Sequence, residues 1–102
     1  MHRVALTIAP DHPAFTGHFP GRPLLPGVAL LAEVLEVVLA EPAFAALVGA
    51  TPRIGAAKFL APVRPGAQLT IEMSVNGRGL RFDVREGERL AASGQFDAAG
   101  TA

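Results

Sequence analysis

The sequence of 102 residues contains no cysteine, no tryptophan and no tyrosine. Without cysteine, the chain forms no disulfide and offers no thiolate ligand to a metal ion. The sequence also has no run of basic residues. Its 9 Lys and Arg residues are equal in number to its 9 Asp and Glu residues. This balance lacks the electrostatic signature of nucleic-acid-binding proteins, and we therefore expect no nucleic-acid partner.

Long uninterrupted apolar segments are also missing. The most apolar region, residues 26–50, contains Glu33, Glu36 and Glu41, so it falls short of the roughly 20 apolar residues that a spanning helix needs. The first residues, MHRVALTIAPDHP, lack the apolar core and the small-residue cleavage site of a secretory signal. These features predict a cytoplasmic protein with no membrane span.

The composition that is present is that of a globular protein, with 50% hydrophobic and 18% charged residues. At this length we expect one domain over residues 1–102, with a disordered tail over residues 97–102. A chain this short builds only a small core, so its apolar content also favours a subunit interface.

Alternating apolar and polar residues predict five strands. They run over residues 2–8, 53–60, 68–75, 80–86 and 89–97. Turn residues at Asn76, Gly77 and Gly87 predict that the last three strands form an antiparallel meander. The residues expected on the buried face of the strand over 68–75 are Leu69, Ile71, Met73 and Val75.

Two helices are expected between the first strand and the others. Residues 27–40 have a helix-forming composition that Pro42 limits, and residues 42–49 form a short helix ending at Gly49. Only the long helix is large enough to cover the apolar rows of the strands. Small residues at 55–57 suggest that it packs closely there. The pattern predicts an α+β fold, an antiparallel sheet curled around a central helix.

Two motifs give the chain a family resemblance. Residues 12–28, HPAFTGHFPGRPLLPGV, resemble the active-site segment of the hot-dog-fold 3-hydroxyacyl-[acyl-carrier-protein] dehydratases of the FabZ type, with the FabA type more distant. Residues 56–75, AAKFLAPVRPGAQLTIEMSV, are similar to a strand-turn-strand segment of the same family. The resemblance covers roughly residues 10–96, with both motifs in the expected order.

The resemblance implies a hot-dog fold, in which a curved sheet wraps around a long helix and two protomers pair into one longer sheet. It implies active sites at the interface of a homodimer, with a higher oligomer or a heterodimer with a homologous dehydratase as further options. The implied substrate is a 3-hydroxyacyl thioester on the phosphopantetheine of acyl-carrier protein or coenzyme A. Dehydration would give a trans-2-enoyl thioester in fatty-acid or related lipid or polyketide synthesis, without metal or organic cofactor.

The resemblance also assigns roles to residues of the motif. His18 stands at the family's acid/base position, and an imidazole accepts and donates protons near neutrality. The backbone amides of Gly27 and Val28, at the start of the helix, would polarise the thioester carbonyl. Gly27 has no side chain, so a substrate can approach closely. Phe19 is expected to line the substrate tunnel or to pack the loop.

The family's catalytic carboxylate is missing from its expected position. It falls fourteen residues after His18, where this chain has Ala32. Glu33 follows position 32 by one residue, so its side chain points about 100° around the helix from that position. Glu36 lies about 40° around the helix from Ala32 and about 6 Å along the helix axis. We therefore predict His18 and Glu36 as the catalytic pair. The alternative for both glutamates is a solvated stripe on the helix, which we favour for Glu33.

Ala32 leaves two other functions open. One is a weakly active or non-catalytic subunit that binds acyl-carrier protein and needs a partner with the missing carboxylate. The other is an acyl thioesterase, because one fold serves several chemistries. The intact GHFPG segment favours dehydration over hydrolysis.

The remaining charged residues carry weaker expectations. His12 is expected to be a surface or capping residue, and the three histidines have no spacing typical of a zinc site. Arg22, Arg53, Lys58 and Arg64 are either ordinary solvated surface or part of a docking site for an acidic carrier protein.

Overall fold

The computed structural model describes residues 1–16 and 23–100 of the chain. The elements in these residues are β1 (His2–Thr7), a 3-10 helix (Pro13–Phe15), α1 (Gly27–Leu39), α2 (Pro42–Val48), β2 (Arg53–Phe59), β3 (Gln68–Asn76), β4 (Gly79–Glu86) and β5 (Arg89–Asp97). Each predicted helix and strand begins and ends within one residue of an observed one. The predicted α+β class is confirmed.

Within the described residues, the five strands form one antiparallel sheet in the order β1-β3-β4-β5-β2. Strands β3, β4 and β5 make the predicted meander, in which neighbours along the chain are neighbours in the sheet. Strand β1 pairs with β3, and β2 pairs with β5 through a register shift between Ile54 and Ala56. Strands β1 and β2 are therefore the two edges of the sheet.

The hydrophobic core lies between α1 and one face of the sheet. Leu30, Val34 and Val38 are buried because residues four apart share one face of a helix. The buried side chains that β3, β4 and β5 contribute to the same core are Leu69, Ile71, Met73, Leu80, Phe82, Val84, Ala91, Ala92 and Phe96. The rings of Phe82 and Phe96 lie 5.2 Å apart at its centre.

A glycine in β5 allows the core to close. A Cβ atom added at Gly94 would lie 2.5 Å from Cζ of Phe82 and 2.6 Å from the carbonyl oxygen of Ala56. Both distances are too short for non-bonded atoms, so the ring and the neighbouring strand reach their positions only because this residue has no side chain.

Two predictions about the sheet are wrong. Val75 is 60% exposed, and it lies near the end of β3, beyond Met73, the last residue of β3 that pairs with β1. Strand β2 is exposed along its whole length, so α1 does not cover its small residues. The space beside Gly55 is filled by the side chain of Asp97 instead.

The disordered tail predicted over residues 97–102 is wrong for its first three residues. Asp97 ends β5, and the amides of Ala98 and Ala99 donate to the carbonyl oxygens of Arg78 and Leu47 at 2.9 and 2.8 Å. Residues 101–102 lie outside the described part of the chain. In that described part, neither helix has the length and apolar character that crossing a membrane requires.

Candidate functional site

Helix α1 has two flanking faces beside its buried one. The flank toward β2 carries Val28, Leu31, Ala32 and Leu35. The flank toward β1 carries Glu33, Glu36, Val37 and Ala40. Glutamate therefore lies on only one of the two flanks.

The amino terminus of α1 offers two backbone donors. Pro26 caps the helix without a side-chain hydrogen bond, and its carbonyl oxygen accepts from the amides of Ala29 and Leu30 at 3.0 Å. Among the described residues, no acceptor is bonded to the amides of Gly27 and Val28. These amides lie at the positive end of the helix dipole, so they are suited to an oxygen that gains negative charge.

Phe59 covers the helix terminus from the side of β2. A Cβ atom added at Gly27 would lie 2.7 Å from Cζ of the Phe59 ring, so this ring makes the close approach that the missing side chain allows. The ring is half exposed. The expectation that a substrate approaches Gly27 stays a prediction, and it requires the ring to move.

An apolar cleft adjoins this terminus. Its volume is about 410 Å³, and it is lined by Leu24, Leu25, Pro26, Gly27, Leu30, Phe59, Leu60, Ala61, Pro62 and Val63. None of these described lining residues is charged, so this part of the cleft suits an alkyl chain rather than an ion.

Ala32 lies in a second, smaller pocket on the flank toward β2. This pocket has a volume of about 240 Å³ and is lined by Val28, Leu31, Ala32, Leu35, Pro52, Ile54 and Phe96. None of these described residues is acidic. Ile54 is 51% exposed and Val28 is 79% exposed, so the pocket is open on its outer side. In the described part of the chain, the family's carboxylate position is thus bordered by apolar side chains and open on one side.

Glu33 is bonded to His12 on the opposite flank. The Nε2 atom of His12 lies 2.7 Å from Oε1 of Glu33, and their side chains are 20% and 23% exposed. The amide of Ala14 donates to the Nδ1 atom of His12 at 3.0 Å. The capping prediction for His12 is confirmed, whereas the solvated stripe predicted for Glu33 is wrong.

Glu36 is exposed and borders a groove between α1 and β1. The groove has a volume of about 330 Å³ and is lined by His2, Val4, Leu6, Glu33, Glu36, Val37, Ala40 and Glu41. The structure does not bring Glu36 into the pocket at Ala32. Its predicted catalytic role stays a prediction, and it requires the reacting group to approach from this flank.

The motif histidine and phenylalanine, His18 and Phe19, lie outside the described residues. Within the motif, the described residues end at Thr16 and resume at Pro23. Just beyond Pro23, the amide of Leu25 donates to the carbonyl oxygen of Val63 at 2.8 Å. His18 and the start of α1 are thus linked by a short segment.

Within residues 1–16 and 23–100, no three His, Asp or Glu side chains are grouped as a metal ion would need. The chain has nine acidic residues, and all of them lie in this described part. Four of them form ion pairs with Arg or His side chains, namely Glu33, Glu72, Asp83 and Glu86.

Comparison with known proteins places the chain among dehydratases. A family model described as ApeI-like, ApeI dehydratase, matches residues 1–95. The 3-hydroxyacyl-[acyl-carrier-protein] dehydratase FabZ of Symbiobacterium thermophilum is 38% identical over 72 residues, which cover 67% of this chain and 51% of that protein. The FabZ protein of Pelotomaculum thermopropionicum is 36% identical over 92 residues, which cover 86% and 64%. The chain spans about half to two thirds of the length of these relatives.

Solved structures give the same result. The dehydratase heterocomplex ApeI:P from Xenorhabdus doucetiae superposes with a TM-score of 0.77 at 28% identity, covering 94% of this chain and 84% of that one. An uncharacterized protein from Erwinia carotovora subsp. atroseptica gives 0.73 at 32% identity, covering 95% and 81%. The predicted hot-dog fold and the predicted family resemblance are confirmed.

Proposed function

The chain belongs to the family of ApeI-like dehydratases, and from this premise we propose that it is the His18-bearing subunit of a two-chain dehydratase. Its substrate is a 3-hydroxyacyl thioester on phosphopantetheine, and its product is the trans-2-enoyl thioester. A homologous subunit supplies the carboxylate. The observation that supports this proposal is the open pocket at Ala32, whose described lining residues include no acidic one where the family resemblance requires one.

The chemistry needs one base, one acid and a pair of donors. The His18 imidazole accepts the proton from C2 of the acyl group, and the electron pair of that C–H bond forms the C2–C3 double bond. The C3–O bond breaks, and the partner's carboxylic acid protonates the leaving hydroxyl, which departs as water. The imidazolium then returns a proton to the carboxylate. The amides of Gly27 and Val28 stabilise the negative charge that develops on the thioester oxygen.

The flank toward β2 supports a partner of the same fold. Strand β2 is an edge strand with exposed apolar residues, Ile54 and Phe59, and Leu60 follows it with 56% exposure. An uncovered apolar edge strand favours pairing with another strand. The same edge borders the Ala32 pocket, so a subunit paired there would bring its own residues to that pocket.

A solved relative supports a mixed complex over a homodimer. That relative is one chain of a structure named a dehydratase heterocomplex, and this chain covers 84% of that one chain. The FabZ relatives are named for substrates on acyl-carrier protein, which supports the same carrier here, in fatty-acid or related lipid synthesis. A cytoplasmic location belongs to the same proposal.

Glu36 as the acid of a homodimer is the second candidate, because it is the exposed glutamate nearest in direction to Ala32. It would lie about 40° around the helix from the family position. In that case the purified chain dehydrates its substrate alone, and Glu36→Gln abolishes the activity.

The test is an assay of 3-hydroxyacyl-carrier protein by mass spectrometry, which separates enoyl product from free acid. The chain is assayed alone, with a homologous subunit that has the helix carboxylate, and as His18→Ala with the same subunit. We expect enoyl product only from the mixture, and its loss with His18→Ala. Free acid as the product would instead indicate a thioesterase. Enoyl formation by the mixture that survives His18→Ala would contradict the proposal.

A further inference from the structure

The contact between His12 and Glu33 joins two parts of the molecule that the proposed reaction must hold together. His12 precedes the 3-10 helix Pro13–Phe15, which ends shortly before residues 17–22, the motif segment that contains His18. Glu33 lies on α1, the helix whose first amides are Gly27 and Val28. The two residues are 21 positions apart in the sequence, and their side chains meet at 2.7 Å.

Both ring nitrogens of His12 are engaged, and this fixes the tautomer. Nδ1 accepts the hydrogen bond of the Ala14 amide, so Nδ1 carries the lone pair. The proton is therefore on Nε2, which donates it to Oε1 of Glu33. The backbone amide of His12 also donates to the carbonyl oxygen of Ala9 at 3.0 Å, and the ring packs edge-on against Phe15. The imidazole is thus held from several sides.

The two ends of the motif segment are attached to the helix in different ways. On the downstream side, Pro23 runs within a few residues into Gly27, so the chain itself makes the attachment. On the upstream side, the amide of Thr16 donates to the carbonyl oxygen of Pro13 at 3.1 Å, which ties it to the 3-10 helix. The described hydrogen bond between that 3-10 segment and α1 is the one from His12 to Glu33.

We propose that His12 and Glu33 are positioning residues, which hold the residues just before the motif segment at a fixed place on α1 and thereby guide where the His18 imidazole acts in the proposed reaction. This inference rests on the proposed function. It assigns Glu33 a role that differs from the missing acid, since its carboxylate accepts a hydrogen bond within the chain rather than reacting. Displacement of a reacting group by about 1 Å can cost about a hundredfold in rate.

Paired substitutions separate positioning from simple capping. Asn at position 12 puts an amide oxygen close to where Nδ1 was, so His12→Asn keeps the cap on Ala14 and loses the bond to Glu33. Gln puts an amide nitrogen close to where Nε2 was, so His12→Gln keeps the bond to Glu33 and weakens the cap. On α1, Glu33→Gln keeps an acceptor oxygen and Glu33→Ala removes it. Glu88→Ala, on the exposed turn between β4 and β5, is the matched control.

The first measurement does not depend on activity. The chain has three histidines, so ring ¹⁵N spectra of the folded protein resolve each of them. We expect His12 as the Nε2–H tautomer, and we expect the ring signals of His18 to shift in Glu33→Ala and His12→Asn. They should remain close to wild type in Glu33→Gln, His12→Gln and Glu88→Ala. An Nδ1–H tautomer of His12, or unchanged His18 signals in Glu33→Ala, would overturn the inference.

The second measurement uses the active complex. We expect kcat to fall by about tenfold or more in Glu33→Ala and His12→Asn, with KM little changed, and to recover in the Gln variants. If His12→Gln is the more damaged of the two His12 variants, capping alone matters and positioning is overturned. If no dehydratase activity is found at all, the proposed function fails, while the ring spectra still decide the positioning role.

Discussion

The two edges of the sheet differ in how the chain finishes them. Beside β1, Glu33 is bonded to His12, and Arg3 on β1 is bonded to Glu72 on β3 at 3.0 Å. Beside β2, apolar side chains such as Ile54 face outward, and within the described residues no β2 side chain forms an ion pair. Polar groups are thus satisfied internally along one edge, whereas apolar surface is left uncovered along the other.

This difference indicates where a second chain belongs. Exposed apolar area on an edge strand is costly in water and prone to pairing, so it is tolerated where a partner covers it. The uncovered edge is also the edge beside Ala32, where the family's acid is missing. The incomplete surface and the incomplete site therefore coincide on one side of the molecule.

The largest expected effect comes from the core that both edges share. Phe82→Ala removes a fully buried ring next to Phe96, and we expect it to lower the free energy of unfolding by roughly 3–5 kcal/mol. The same change on the open edge, Phe59→Ala, should cost the unpaired chain about 1 kcal/mol or less, because that ring is half exposed and leaves no closed cavity. Urea unfolding followed by circular dichroism measures both. Equal losses would show that the β2 edge is not an open surface.

A smaller effect is expected for pairing itself. Ile54→Asp puts a charge into the proposed interface, and loss of a central contact worth about 2 kcal/mol raises the dissociation constant about 30-fold. Val75→Asp is the control, since Val75 is also exposed, at 60%, but lies on β3. Sedimentation of the chain, alone and with a homologous subunit, measures both variants. Similar weakening by the two substitutions would mean that β2 is not the interface.

The smallest expected effect is at the β1 edge of the sheet, where Arg3 is bonded to Glu72. Hydrogen bonds from Arg85 and then Arg3 lower the pKa of Glu72 below its ordinary value. A carboxyl with a lowered pKa stabilises the fold above its unfolded-state pKa, and this contribution is lost as the pH falls through the folded-state pKa. We therefore expect Glu72→Gln to lower the melting temperature slightly at neutral pH and to match wild type in acid. A difference in melting temperature between the two proteins that stays constant with pH would exclude this ionic contribution.

The sequence predicted the elements well because alternation and turn residues act locally. In β3, the side chains of Leu69, Ile71 and Met73 lie on one face and are buried as expected. Val75 continues the same pattern and is nevertheless exposed, because a period of two defines a face but not how far the neighbouring strand extends, and β1 pairs with β3 only up to Met73. The prediction that α1 covers β2 was wrong for a different reason. Small residues in a strand indicate a close contact, but they do not indicate which side chain makes it, and beside Gly55 it is Asp97.

The site was predictable only where a motif is contiguous. The segment around His18 and the gap at Ala32 can be found by counting residues. The bond from His12 to Glu33 joins residues 21 positions apart, and no local period encodes it. The sequence signals for this pair were weak: a histidine before a proline, and a glutamate on an otherwise apolar helix.

The most direct test of the account is to restore the carboxylate at position 32 of this chain. Ala32→Glu and its uncharged control Ala32→Gln are assayed alone on 3-hydroxyacyl-carrier protein, with enoyl product measured by mass spectrometry. We predict that Ala32→Glu forms enoyl product about tenfold or more faster than wild type and Ala32→Gln, and that His18→Ala in the same chain abolishes the gain. Full activity of the wild-type chain alone, with no gain from Ala32→Glu, would contradict the account.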